Sequence, residues 1–172
     1  MAEVLLVVDM LVGFMEEDHD LYCGDAARDI IPAVQSLIEQ HHNEDFPVIF
    51  ICDSHEPDDL EFEVFPEHCI KGSGEAEIIH ELRGYDGFHI SKRRYSAFFD
   101  TDLDATLSEL NPDTVTICGV CTDICVMHTA ADARNRDYRV KVYADGVASF
   151  DLDAHRMALK HMEDILGVSV IR

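Results

Sequence analysis

Short apolar runs rich in β-branched residues recur along this chain, each separated from the next by a stretch with helical spacing or by a long connection. Residues 4–8, 47–52, 88–90, 114–118, 139–143 and 168–171 read as strands. Most of these runs are apolar at nearly every position, so both faces of each must be covered. Helical spacing marks 26–40, 75–82, 101–110 (with Thr101 as its cap), 123–135 and 153–166. Strands of this kind alternating with helices predict an α/β fold: a three-layer, doubly wound, mostly parallel six-stranded sheet with helices on both faces. Internal repeats, low-complexity tracts and linkers are lacking, so one domain over residues 1–172 is expected.

The chain has 172 residues, 47% of them hydrophobic, enough to bury a full core. Its formal net charge of −22 comes from dispersed acids, which predicts a solvated acidic surface. Such a field repels nucleic acid and anionic membranes, and suits a neutral or cationic small molecule. The run from Met1 to Met15 lacks a basic start and is interrupted by Glu3 and Asp9, so it reads as a buried strand and not as a signal peptide. No run approaches the roughly 18 apolar residues of a membrane span. These features predict a cytoplasmic protein with neither membrane nor nucleic-acid partners, whose six cysteines stay reduced.

In an open parallel sheet, ligands bind beyond the carboxyl ends of the strands. Asp9 ends the first strand, Asp53 and His55 follow the second, Lys92 follows the third, and the turn from Cys121 to Cys125 follows the fourth. Thr122 is placed to cap the next helix, which puts Cys125 in its first turn, a setting that favours thiolate over thiol. Cys125 is therefore a nucleophile candidate. Asp9 is either a cap for a following turn or a general base for that thiol. Lys92 is either a solvated lysine of the basic Lys92-Arg-Arg run or a cation stabilising both carboxylate and sulfur.

Asp53 and His55, two apart in extended chain, share a face and can grip one metal ion. Glu61 and His68 in the next loop are further candidates. Two imidazoles with one or two carboxylates suit Zn²⁺, Fe²⁺ or Mn²⁺. Cys118-Gly-Val-Cys121 is formally a C-x-x-C pair, but Cys118 is expected to point into the sheet and no second pair exists.

At this point the segments Val7-Val-Asp-Met10 with Phe14, Asp53-Ser-His55, Phe65-Pro-Glu-His68, Lys92 to Phe98 with Thr101 to Asp104, and Gly119 to Ala133 coincide with a known pattern. The chain resembles the isochorismatase-like cysteine hydrolases, and among them looks most like the nicotinamidases. The resemblance implies a catalytic triad of Asp9, Lys92 and Cys125, and a cis peptide between Val120 and Cys121. It also implies an oxyanion hole from the backbone N–H groups of Cys121 and Cys125. Asp53, His55 and His68 would hold one divalent metal, Zn²⁺ foremost with Fe²⁺ or Mn²⁺ as alternatives, and Glu61 stands where some relatives place a fourth ligand. Phe14, Phe65 and Tyr95 would enclose a substrate ring. Tryptophan, common in relatives, is missing here, and Phe65 supplies the aromatic wall instead.

The activity so implied is hydrolysis of nicotinamide to nicotinate and ammonia for NAD salvage, in a cytoplasmic homo-oligomer acting on a small amide. Two other readings compete. One is an amidase of the same superfamily acting on a ureide or carbamoyl compound. The other is a non-catalytic metal or redox sensor built on Cys118, Cys121 and the histidines.

Overall fold

The computed structural model of the protein describes residues 2–172. Among them, six strands form one sheet: β1 (Glu3–Val8), β2 (Val48–Asp53), β3 (Phe88–Lys92), β4 (Thr114–Val120), β5 (Arg139–Ala148) and β6 (Ser169–Ile171). Their order is β3-β2-β1-β4-β5-β6, and every pairing is parallel. The sheet is thus parallel throughout. No helix among the described residues is long and apolar enough to cross a membrane.

Alternation along β1 divides the core. Val4, Leu6 and Val8 pack with Leu103 and Leu107 of α4 (Leu103–Leu110), Ala130 and Ala133 of α5 (Met127–Asn135), and Leu159 and Met162 of α6 (Leu152–Asp164). Leu5 and Val7 face the other way, onto Val34, Leu37 and Ile38 of α3 (Ile31–Asn43). A strand buried on both faces must be apolar at successive positions, which is what residues 4–8 show. Two short helices, α1 (Val12–Met15) and α2 (Asp25–Arg28), lie ahead of α3.

Four elements depart from expectation. The stretch read as one helix over 26–40 is split into α2 and α3, because Pro32 in the first turn of α3 has no N–H and its ring would clash with a continuing helix. Residues 75–82 form only a single 3₁₀ turn, Gly74–Ala76. The rest of that segment gives its backbone to the end of β1 instead, with Val12 N–H on Glu77 O at 2.9 Å and Ile79 N–H on Met10 O at 3.1 Å. The strand expected to end at residue 143 runs on to Ala148, because β5 bulges and resumes pairing with β4 at Val147. Thr101 lies just ahead of α4, where its hydroxyl accepts from the Leu103 N–H at 3.2 Å.

β1 and β4 are neighbours at the point where the strand order reverses, the position at which such sheets bind ligands. They approach closely there: Gly119 lies opposite Val8, and a Cβ on it would sit 2.0 Å from the Val8 carbonyl oxygen. With φ at +108°, this position demands glycine.

Candidate active site

The carboxyl ends of β1 to β4 deliver side chains to one place. Asp9 leaves β1 in the left-handed region (φ 50°), which aspartate tolerates better than most residues. Its Oδ1 accepts from the Asp53 N–H at 2.9 Å. Lys92, the last residue of β3, pairs in register with Asp53. Its Nζ forms an ion pair with Asp53 Oδ1, lies 2.9 Å from Asp9 Oδ2 and donates to Cys125 Sγ at 3.4 Å. Asp9, Asp53, Lys92 and Cys125 are all buried. Asp9 Oδ2 is near Nζ but outside hydrogen-bonding angles, so it keeps a lone pair free.

The segment after β4 is not the simple capped helix expected. Residues Thr122–Val126 form a π-helical turn before α5, with the Val126 N–H on Cys121 O at 3.1 Å. Such turns insert one extra residue and often occur at functional sites. Thr122 does not cap it. Its hydroxyl is buried against His155 Nδ1 of α6 at 2.8 Å, and Asp123 accepts from the Ser149 hydroxyl just beyond β5. The turn carrying Cys125 is thereby tied to two neighbouring elements. The Val120–Cys121 peptide is cis.

The charges sort themselves by contact. Burial opposes ionisation of Lys92, but Asp53, Asp9 and Cys125 hold it well above the ordinary lysine range. Burial and the neighbouring Asp53 push Asp9 up to about 6, against the pull of Lys92. Asp53 is held far below the carboxylate range by Lys92 and the two histidines, despite its burial. Burial drives the Cys125 thiol well above the ordinary range; Lys92 pulls it down, and Asp9 and Asp53 push it further up. Burial and the two carboxylates thus oppose the thiolate that a place in the first helical turn and the Lys92 cation favour.

Beside this group, Asp53, His55, Glu61 and His68 bring four potential ligand atoms within 4.8 Å of one another. His55 Nε2 lies 3.5 Å from Asp53 Oδ2, and His68 Nε2 lies 3.7 Å from both Asp53 Oδ2 and Glu61 Oε1. His55 Nε2 and Glu61 Oε2 are buried without a hydrogen-bond partner. Burial and Asp53 also push the Glu61 carboxyl up. The unpartnered His55 Nε2 faces Asp53 and Glu61 with His68 beside them, and two imidazoles with two carboxylates are a donor set that suits a divalent cation. No cysteine belongs to this cluster.

A cleft opens onto both groups. Phe14, Phe65 and Tyr95 line it, as do Asp9, His68 and Cys125. The Phe65 and Tyr95 rings stand 6.3 Å apart at 80°.

A model of the isochorismatase domain matches residues 3–171. The chain belongs to the isochorismatase family. Among solved structures of isochorismatase-like proteins, it is similar to the nicotinamidase/pyrazinamidase PncA from Bacillus subtilis, with 34% identity, all of both chains covered and a TM-score of 0.94. N-carbamoylsarcosine amidase from Thermoplasma acidophilum is 35% identical, covering 100% of this chain and 96% of that one, at a TM-score of 0.90. The pyrazinamidase of Pyrococcus horikoshii, solved in complex with zinc, is 29% identical over 100% and 99% of the two chains, at a TM-score of 0.91.

For this isochorismatase-family chain, every residue singled out at the strand ends and in the following loops lies in or beside one cleft. Cys118 is buried within β4, and Cys121 sits 3.4 Å from Cys23 instead, all six cysteines being free. Leu21, Ile124 and Phe150 also line the cleft and were missed, since no strand end or motif marks Leu21 or Phe150. Arg94 and Asp59 were missed too; their proximity to Lys92 and to His55 was the available signal.

Proposed function

We propose that this protein is a metal-dependent cysteine amidohydrolase that converts nicotinamide to nicotinate and ammonia. The observation that carries the reading is the meeting of the Cys125 sulfur with Lys92 and Asp9 at an aromatic-lined cleft beside a two-histidine, two-carboxylate group. The likeness to PncA from Bacillus subtilis supports the substrate class.

The substrate ring lies among Phe14, Phe65 and Tyr95, with its carboxamide over Cys125. Burial opposes a free thiolate at Cys125, so its deprotonation is coupled to the attack. The proton passes from Sγ to Asp9 as sulfur bonds to the amide carbon. Lys92 holds Asp9 and the developing charge in place. The backbone N–H groups of Cys121 and Cys125 receive the oxyanion, each worth roughly 3 kcal/mol in comparable sites. Asp9 returns the proton to the departing nitrogen, ammonia leaves, and a thioester remains on Cys125. Water deprotonated by Asp9 then attacks the thioester and frees nicotinate and the thiol.

Asp53, His55, Glu61 and His68 would hold the metal, with zinc favoured by the zinc-bound pyrazinamidase relative. A bound cation there supplies charge for orienting and polarising the ring beside it. The reaction fits NAD salvage in the cytoplasm. A second reading, hydrolysis of a carbamoyl compound, is favoured by the likeness to N-carbamoylsarcosine amidase. Ammonia release measured over nicotinamide, pyrazinamide, biuret, ureidoacrylate and N-carbamoylsarcosine separates the two. Turnover of the ring amides supports the first reading, and turnover confined to the acyclic compounds replaces it with the second.

A further inference from the structure

Asp59 belongs neither to a strand end nor to the ligand group, yet its side chain is 4% exposed and fully engaged. It precedes the 3₁₀ turn Leu60–Glu63, and its Oδ1 accepts from the Glu61 N–H at 2.9 Å and from Arg94 Nη1 at 2.7 Å. Its Oδ2 faces His55 Nδ1 at 3.1 Å. An ionised carboxylate offers only lone pairs, so this last contact is a hydrogen bond only when Nδ1 carries the hydrogen. The lone pair of the neutral ring then resides on Nε2, the buried atom that has no partner and faces Asp53 and Glu61. His68 reaches the same state by another route, its Nδ1 lying 2.7 Å from the Pro66 carbonyl oxygen.

We propose that Asp59 is a positioning residue for the metal centre. It sets His55 in the Nδ1–H tautomer, so that Nε2 is free to ligate, and it fixes the backbone that presents Glu61. Arg94, two residues beyond Lys92, secures Asp59 and so ties the ligand loop to the strand that supplies the buried lysine. This inference rests on reading Asp53, His55, Glu61 and His68 as a metal site. Partners of this kind commonly contribute about 10- to 100-fold to metal affinity.

The arrangement makes an asparagine at this position informative. Two donors converge on Oδ1, so the amide oxygen of Asp59→Asn is held toward Glu61 and Arg94, and the amide NH₂ turns toward His55. An NH₂ group donates, which moves the ring hydrogen onto Nε2, the atom a metal needs. A near-isosteric change should therefore be at least as harmful as truncation.

The test uses the full chain stripped with a chelator and titrated with Zn²⁺ against a fluorescent competitor. Asp59→Ala and Asp59→Asn should each weaken Zn²⁺ binding by about 10- to 100-fold, while Asp58→Asn, an exposed neighbour, stays near wild type. If Asp59→Asn binds Zn²⁺ as wild type does, Asp59 is merely structural and the proposal is overturned. If the wild type itself binds no Zn²⁺, the metal-centre reading fails first. Nitrogen-15 spectra of the histidines in unaltered, metal-free protein in mildly alkaline solution give an answer independent of any variant's folding. The proposal expects His55 protonated on Nδ1, and protonation on Nε2 contradicts it.

Discussion

Replacing Lys92 with Met fills the volume of the side chain but leaves two buried carboxylates without their cation. In the native site Nζ contacts Asp53, Asp9 and Cys125 within 3.4 Å. Removing one partner of a buried, hydrogen-bonded charge group costs about 3–5 kcal/mol. An independent bound agrees with this. The variant can escape by protonating one carboxyl, which at pH 7 costs about 4 kcal/mol for a group of ordinary pKa near 3.9. For a chain of this size each kcal/mol lowers the melting temperature by roughly 2–4 °C, so the metal-free variant should melt roughly 6–20 °C below wild type. The pH dependence has a definite sign. In the variant the carboxyl pKa is raised above its unfolded value, so the penalty is absent below about pH 4 and grows as pH rises. In the wild type Asp9 is itself raised to about 6, so the native protein also regains some stability as pH falls from about 6 to 4, and the gap narrows by less than the variant's full penalty. Asp53 is depressed, so its stabilisation is intact above about pH 4 and is lost only below it. The gap still narrows in acid across the range measured. Circular dichroism melts of both proteins between pH 4 and 8, with chelator present, provide the assay. A melting temperature unchanged at neutral pH, or a gap that widens in acid, refutes the reasoning.

Other expectations concern the same cleft. Cys125→Ala should keep its fold and its Zn²⁺ affinity, because Sγ belongs to the triad and not to the ligand cluster; loss of metal in that variant would place the sulfur on the ion. Cys121→Ala should lower kcat/KM only a few-fold, since the mechanism uses its backbone alone, and a near-total loss in the amidase assay would revive a redox role for that thiol. Asp9 must be ionised to accept the thiol proton, so kcat/KM should fall as pH drops through about 6. Bound metal, by offsetting the charge of Asp53, moves that acid limb lower and never higher. A rate independent of pH down to about 4 would remove Asp9 as the base.

The strand ends were legible because each sits at the edge of a β-branched apolar run, and the parallel sheet brings all such ends to one rim. Asp9, Asp53, Lys92 and Cys125 could thus be named together before any distance was known. The metal loop was readable in its ligand types, but the contribution of Asp59 depends on a hydrogen bond to the ring of His55, which no spacing rule specifies. Ile78, Ile79 and Leu82 satisfy helical periodicity while actually packing over the end of β1, where backbone pairing with Met10 and Val12 prevails over local propensity. A position in the first turn of a helix favours thiolate at Cys125, whereas burial beside two carboxylates opposes it, and burial is a property of the assembled fold that no spacing shows. Leu21 and Phe150 reach the cleft from loops whose paths only packing determines.

The proposed activity requires that the Cys125 sulfur breaks an amide bond. Ammonia production from nicotinamide, followed in parallel for Zn²⁺-loaded wild type and Zn²⁺-loaded Cys125→Ala, measures that most directly. Sustained release by the wild type and none above the uncatalysed rate by the variant is the predicted result. Equal release by both, or no release by a wild type shown to carry its metal, contradicts it.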